Sequence, residues 1–307
     1  MALYPRLDDL LELRHQAHTL GAASHHLVNT NFSGLYASVF RGTGLDFEEV
    51  RSYQAGDDVR NMDWKVTART NSPHLKVFRE ERERNVLLCV DQGPHMGFGT
   101  RHTFKSVQAA RAAALLGWAA NSLNDRVGGL LFGNAERTVN HFRPTKDRRA
   151  LWRLLKALSK PDPGETSSAD DPLLDALIRA ERGTSTGSLI FLIADLNRDI
   201  TNLESTMGRI CQRHTLVLIP VDDQVDKEMP DMGRVLFTDP GGELIEIDTS
   251  DQNGRAAYRQ AWEQNRQTLA SVANRLGMPL LPIVTGQDVH GSLARGRRQS
   301  SRARILR

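Results

Sequence analysis

From Asn85 onward, apolar strand-like segments alternate with amphipathic helical segments, and this alternation constrains the fold more than any other feature. Residues 85–91 and 187–196 are continuous apolar runs, which are typical of strands buried on both faces. Residues 102–123 carry apolar side chains at helical spacing. The pattern predicts an α/β fold with a doubly wound, mostly parallel sheet. Residues 135–142 closely follow the strand-like segment DRVGGLLF and predict one antiparallel edge hairpin.

The two ends of the chain depart from this rhythm. Residues 1–84 contain a charged amphipathic helix and then short Gly-bounded segments, which predict a small β-rich N-terminal appendage. Residues 85–286 form the predicted α/β domain. Residues 287–307 are predicted to be a disordered tail, since the stretch from Gly291 to the end has six arginines and no acid. The alternative is a basic arm that binds an anionic surface.

Composition favours an ordinary globular protein, with 39% hydrophobic and 25% charged residues and a formal net charge of +3. No apolar run reaches the roughly 20 residues that span a bilayer. The charged N-terminus does not resemble a signal peptide, so a cytoplasmic protein is expected. Cys89 and Cys211 are far apart in sequence and predict neither a disulfide framework nor a zinc site.

Two carboxylates mark the candidate site. Asp91 and Asp195 each end a strongly apolar strand-like run. In an open parallel sheet, ligands bind at the carboxyl ends of strands, where the strand order reverses. Two acids at such an edge could hold a hard divalent cation. The alternative is that each Asp only forms a turn or caps a helix.

This order of elements resembles the von Willebrand factor A fold. The resemblance implies a metal-ion-dependent adhesion site in which Asp91, Thr145 and Asp195 match the family's metal-binding positions. Gly93 and His95 stand where that family has two serines, so the implied site is degenerate. Mg²⁺ or another divalent cation is the candidate cofactor, with His95 as a ligand for a softer metal. The competing interpretation is that Asp91 caps the following helix.

A second motif lies upstream. YQAGDDVRNMDWKVTAR (residues 53–69), followed by LKVFREERE, resembles the signature of the domain of unknown function 58 family, in which it precedes an A-type domain. Its alternating charges around an aromatic predict an ion-pair network that attaches the appendage to the sheet domain. The alternative is a docking surface with Arg60 and Trp64 as hot spots.

The resemblance implies a non-enzymatic adaptor that works with a MoxR-type AAA+ ATPase and a protein client. Partner contacts are expected at Gly93, His95, Arg60 and Trp64. One alternative is a metal-dependent hydrolase or nuclease at Asp91 and Asp195, although no general base is evident beside them. The other is an anionic-surface binder acting through the Arg-rich tail. We do not expect specific recognition of nucleic acid. Weak contact of the tail with a membrane surface is compatible with its charge.

Overall fold

A computed structural model describes residues 3–17, 46–54, 57–79, 84–101, 103–133, 140–160, 171–238 and 244–295. The chain divides into two compact units, one formed by residues 1–39 with 85–307 and the other by residues 40–84. We call them the sheet unit and the small unit.

The described helices are α1 (Leu7–Glu12), α2 (Trp64–Thr70), α3 (Lys105–Ser122), α4 (Arg148–Leu158), α5 (Pro172–Gly183), α6 (Glu204–Arg213), α7 (Gln224–Lys227), α8 (Gln252–Leu276) and α9 (Val289–Arg295). The described strands are β1 (Asp46–Ser52), β2 (His74–Arg79), β3 (Asn85–Asp91), β4 (Arg126–Phe132), β5 (Asn140–Thr145), β6 (Leu189–Ala194), β7 (Thr215–Asp222), β8 (Arg234–Thr238), β9 (Leu244–Asp248) and β10 (Ile283–Val284).

Within the described residues, the sheet unit contains a six-stranded sheet of order β10-β7-β6-β3-β4-β5. All neighbouring pairs are parallel except β4 and β5, which are antiparallel. The chain runs outward from β3 to β4 and β5 and then returns to β6 on the other side of β3. Strand order therefore reverses between β3 and β6, and the predicted doubly wound sheet with an antiparallel edge hairpin is confirmed.

Helices cover both faces of this sheet, which explains why its central strands are apolar without alternation. Every residue of β6 is buried, as are six of the seven in β3. Helices α5, α6 and α8 supply buried side chains to one face, together with Leu87, Cys89 and Ile190 of the strands. On the other face, α3 contacts β3 and β4, and α4 contacts β4.

A separate antiparallel pair, β8 and β9, follows α7. The residues that connect these two strands lie outside the described residues. The last strand of the sheet is short: β10 pairs with β7 at two residues, and Leu280 adds an isolated bridge to Leu218.

The predicted boundary at residue 84 is wrong for the first helix. Helix α1 belongs to the sheet unit and packs against α3 and α4. Leu10 is buried, and its carbonyl accepts a hydrogen bond from the indole nitrogen of Trp118 at 3.1 Å. Apolar burial therefore places α1 with the sheet, although the chain passes through the small unit between them.

The predicted tail also begins too early. Residues 289–295 form α9, which packs against α3 with Val289 and Leu293 buried. Residues 296–307 lie outside the described residues. None of the described helices is both long enough and apolar enough to cross a membrane.

The small unit consists of the antiparallel pair β1 and β2 with α2 between them in sequence. The side chain of Asp63 accepts hydrogen bonds from the backbone amides of Lys65 and Val66 and so caps the start of α2. Asn71 ends this helix in the left-handed conformation. The β-rich character predicted for this part of the chain is confirmed for the described strands.

Candidate functional site

Three acidic residues lie at the carboxyl ends of neighbouring central strands, each staggered by one position from the next. Asp91 is the last residue of β3, Asp195 follows β6 directly, and Asp222 is the last residue of β7. Val90 pairs with Ile193, and Ala194 pairs with Pro220, so the three acids lie on neighbouring strands at one edge. We call this edge the strand-end site. It lies where the strand order reverses, as the sequence predicted.

Asp91 is almost fully buried and is held by its own loop. One carboxylate oxygen accepts a hydrogen bond from the amide of Gly93 at 2.8 Å, and the other lies 2.8 Å from Nε2 of His95. A Cβ atom at Gly93 would lie 2.5 Å from Cε1 of His95, so any side chain there would displace the imidazole. Glycine at position 93 therefore makes room for the histidine over Asp91.

The interpretation that Asp91 caps the following helix is wrong. Phe104 is the N-cap residue of α3, and no side chain caps this end. The loop from Asp91 first forms a short 3-10 turn at Pro94–Gly97, which separates the carboxylate from the helix. Asp91 instead closes a two-residue turn with Gly93.

His95 is the accessible member of this pair, because 47% of its side chain is exposed while only 5% of the Asp91 side chain is. Burial alone would lower the pKa of His95. The hydrogen bond and charge of Asp91, together with the charge of Asp195, outweigh burial and raise the pKa above its usual value. The cationic form of His95 is therefore favoured beside these two acids.

Lys105, at the first turn of α3, occupies the middle of the strand-end site. Its Nζ lies 2.6 Å from a carboxylate oxygen of Asp195 and 2.7 Å from one of Asp226. The lysine side chain is only 3% exposed. Burial alone would lower the pKa of Lys105, but the two carboxylates outweigh it and raise the pKa, so the ammonium stays charged.

The β7 end of the site carries two adjacent acids with opposite environments. Asp222 forms a close ion pair with Arg266 of α8. Burial nevertheless raises the pKa of Asp222 to about 6, because the arginine offsets only part of the lost hydration. Asp223 accepts hydrogen bonds from the hydroxyls of Thr100 and Thr285, which outweigh its burial and lower its pKa.

Asp222 is expected to make the protein less stable as pH rises from about 4 to about 6. In this window the folded chain keeps a proton on Asp222 that the unfolded chain, with the ordinary pKa of 3.8, has released. The contribution to the free energy of unfolding should decline by up to about 3 kcal/mol. Urea unfolding at several pH values should show that Asp222→Asn removes this decline. Asp223→Asn should keep it, and an unchanged pH slope in Asp222→Asn would contradict the assignment.

Thr145 does not join the strand-end site. It pairs with Val127 near the start of β4, whereas Asp91 pairs with Phe132 at the end of that strand. The two pairings lie five positions apart along β4, or about 16 Å at the rise of a strand. The predicted role of Thr145 as a metal ligand beside Asp91 is therefore wrong. Strand β5 runs antiparallel to β4, so its last residue lies at the amino end of β4, away from the strand-end site. The Thr145 hydroxyl instead accepts from the amide of Asp147 at 3.2 Å.

The residues present do not fit the divalent cation that the von Willebrand factor A fold implies. Asp91 is paired with His95, and Asp195 is paired with Lys105, so each of the two expected acids already has a basic side chain of the chain at hydrogen-bond distance. No group of three or more His, Cys, Asp or Glu side chains within the described ranges could hold a metal ion. Gly93 supplies no hydroxyl to complete a coordination shell.

The other predicted contacts, Arg60 and Trp64, belong to the small unit. Trp64 is 68% exposed, and the Arg60 side chain is 87% exposed while lying 3.2 Å from Asp58. A two-pronged pair joins Arg51 to Asp57 at 2.7 and 2.8 Å. Asp57 and Asp58 of the motif thus each pair with an arginine close to them in sequence, and the exposed Trp64 stays a candidate contact.

Lys105 and Asp226 are site residues that the sequence patterns did not predict. A signal for Lys105 was present, since it lies three and four residues before Gln108 and Ala109 on a helix that is buried over most of its surface. A lysine on such a face needs an acidic partner. Asp226 gave a weaker signal, because only the fold brings its short helix α7 over the strand ends.

The fold and the site define a von Willebrand factor A-like α/β protein whose strand-end acids are paired with cations of the chain itself. The chain belongs to the family described as "Protein of unknown function DUF58", whose profile matches residues 49–268. It is 30% identical over 255 residues to the uncharacterized protein Rv1480 of Mycobacterium tuberculosis, covering 83% of this chain and 79% of that protein.

Two solved structures resemble part of the chain. BatB from Bacteroides thetaiotaomicron is 13% identical with a TM-score of 0.43, covering 71% of this chain and 99% of that one. A von Willebrand factor type A protein from Catenulispora acidiphila is 11% identical with a TM-score of 0.41, covering 73% and 43%. Because both TM-scores are below 0.5, we assign the fold from the strand order of the chain itself.

Proposed function

We propose that this protein is a non-enzymatic adaptor whose strand-end site binds another protein. The observation that supports this proposal is that Asp91 lies at hydrogen-bond distance from His95, and Asp195 from Lys105. An acid held this way is poorly suited to activate water or to bind a catalytic metal, which speaks against the hydrolase alternative. The family and the fold suggest a protein-interaction role in the same direction.

The rim of the site has the composition of a small protein contact. Phe98 is 39% exposed, and the side chain of His95 is about half exposed. Both lie in the loop that follows β3, and the ring of Phe98 also lies 5.6 Å from Nζ of Lys105. Exposed aromatic side chains are common interface anchors. We therefore place the contact at residues 93–98, which include Gly93.

The proposed partner is a MoxR-type AAA+ ATPase, with a protein client that the complex assembles or matures in the cytoplasm. This part of the proposal comes from the family resemblance. An alternative is that the protein partner docks on the exposed Trp64 and Arg60 of the small unit. Contact with anionic surfaces through the Arg-rich tail would show as binding that salt weakens steeply.

Phe98→Ser is expected to abolish retention of the ATPase in a pull-down of the full chain from native lysate, with retained proteins identified by mass spectrometry. Trp152→Ser is the matched control, because Trp152 is an equally exposed aromatic at 38% that lies on α4. The control should retain the ATPase as the wild type does. Retention lost only in Trp64→Ser would move docking to the small unit, and no ATPase on the wild type would refute the partnership.

A further inference from the structure

We propose that the free edge of β8 pairs antiparallel with β8 of a second copy of this chain, so that two copies share one four-stranded sheet. We call the two-stranded sheet of β8 and β9 the ribbon. The ribbon belongs to the sheet unit but is separate from its six-stranded sheet. The proposal concerns self-association, so it goes beyond the adaptor role and does not depend on it.

The ribbon is attached to the rest of the sheet unit at its base. Thr249, which is buried, donates hydrogen bonds from its backbone amide and its hydroxyl to the carbonyl of Gly233. Arg255 of α8 donates to the carbonyl of Thr249. Beyond this base, β8 and β9 contact mainly each other. Because a two-stranded sheet alone is only marginally stable in water, a further strand would stabilise the ribbon.

The ribbon carries four large apolar side chains that are exposed. Leu236 in β8 and Leu244 in β9 are 64% and 65% exposed. Ile245 and Ile247 of β9 are exposed as well. Single exposed apolar side chains are ordinary, but a cluster of them on one element is typical of a surface that binds another protein. The ribbon is therefore a candidate interface that is distinct from the strand-end site.

The outer edge of β8 offers backbone groups for pairing. In an antiparallel pair, alternate residues direct their N–H and C=O groups away from the neighbouring strand. Within the described residues, the backbone of Arg234–Thr238 makes no hydrogen bond other than those to β9. Proteins commonly protect such an edge with proline, lysine or an inward-pointing charge. Strand β8, RVLFT, has neither proline nor lysine, and its single charge is at its first residue.

The sequence of β8 favours β8 of a second copy as the added strand. Pairing about a two-fold axis at Leu236 sets this residue opposite itself and Val235 opposite Phe237 of the second copy. Cross-strand pairs of aromatic and β-branched side chains stabilise antiparallel sheets. Arg234 lies opposite Thr238 of the second copy in this register, so no like charges meet. All five residues of β8 therefore find an acceptable neighbour.

The other edge of the ribbon is less suited to self-association. The same two-fold pairing of β9, LIEID, sets Glu246 opposite Glu246 of the second copy. Like charges directly opposite each other destabilise a sheet. Pairing of β8 with β9 of the next copy would leave a free edge at each end and produce an open fibre. Pairing of β8 with β8 instead closes a two-fold dimer, the commonest symmetry of soluble assemblies.

Sedimentation velocity of the full chain over a dilution series tests the proposal. The wild type should form a dimer that dissociates on dilution. Leu236→Lys should weaken this dimer at least about tenfold, because it sets two lysines opposite each other and removes two leucines from the contact. Leu244→Lys is the matched control, since Leu244 is equally exposed but lies on β9, and it should dimerise as the wild type does. A wild type that stays monomeric throughout, or an equal loss in both variants, would overturn the proposal.

Cysteine cross-linking checks the register of the pairing. Leu236→Cys should form a disulfide between two copies under mild oxidation, since residues directly opposite each other lie within the distance that a disulfide spans. Leu244→Cys and the wild type, which has Cys89 and Cys211, should stay uncross-linked. A dimer in which Leu236→Cys fails to cross-link, or assemblies larger than a dimer, would refute the pairing of β8 with β8.

Both positions are exposed, so these substitutions should leave the fold intact, and urea unfolding of each variant checks this. The measurements use the purified chain without an ATPase or a client. Their outcome is therefore independent of the adaptor proposal.

Discussion

Replacing Lys105 with methionine is expected to lower the free energy of unfolding by about 3–5 kcal/mol, the usual cost of removing one member of a buried ion pair. The lysine side chain is 3% exposed, and its two acidic partners are 16% and 11% exposed. Methionine fills a similar volume but leaves Asp195 and Asp226 facing each other without a cation. Chemical denaturation followed by circular dichroism would measure the loss.

A matched control is Arg179→Met, which breaks the pair between Arg179 and Asp175 on the surface of α5. This pair has a similar distance, 2.7 Å, but its side chains are 54% and 44% exposed. Exposed pairs contribute about 0–1 kcal/mol, so the control should stay close to the wild type. Adding Asp226→Asn to Lys105→Met should recover part of the loss. Equal costs for Lys105→Met and Arg179→Met would contradict the buried pairing described here.

Gly128→Ala is expected to destabilise the protein by about 3 kcal/mol or more, because the new methyl group would meet backbone that cannot yield. Its Cβ would lie 2.6 Å from the carbonyl oxygen of Phe142 and 2.8 Å from the nitrogen of Pro144. Both atoms belong to β5, at the irregularity where the register with β4 shifts. Relief would require β5 to separate from the sheet. Thermal and urea unfolding would measure the effect.

Two other glycines serve as controls for this substitution. Gly97→Ala should change stability little, since nothing lies within 4 Å of the added Cβ. Gly129→Ala should cost less than Gly128→Ala, because its Cβ would meet only side-chain atoms of Leu154, which can rotate away. A Gly128→Ala variant as stable as Gly97→Ala would show that β5 does not pack as closely as described.

The sheet could be predicted because its strands can be recognised from the pattern of their own residues. Continuous apolar runs at residues 85–91 and 189–194 indicate strands covered on both faces, and the helices between them force parallel connections. The first helix was assigned to the wrong unit for the opposite reason. Its place depends on Leu10 packing among α3 and α4, which are more than 90 residues away in sequence.

Some residues of the candidate site could likewise be predicted from local sequence, and others could not. Asp91 and Asp195 could be predicted because an acid that ends a buried strand of a parallel sheet lies at the carboxyl ends of the strands, where ligands bind. Thr145 was misplaced because the assignment followed a resemblance of element order, while the direction of β5 carries its end to the far edge. Asp226 was missed because nothing in its own segment indicates which strand ends it faces.

The sequence by itself determined the order of strands and helices along the chain and the positions of Asp91 and Asp195 at strand ends, since these follow from local hydrophobic patterns. Only the tertiary structure decided what those acids face. Lys105 and Asp195 are separated by 90 positions in the chain, and their 2.6 Å contact exists only because α3 packs across the strand ends. Ion pairing depends on distance in space, which local pattern does not encode.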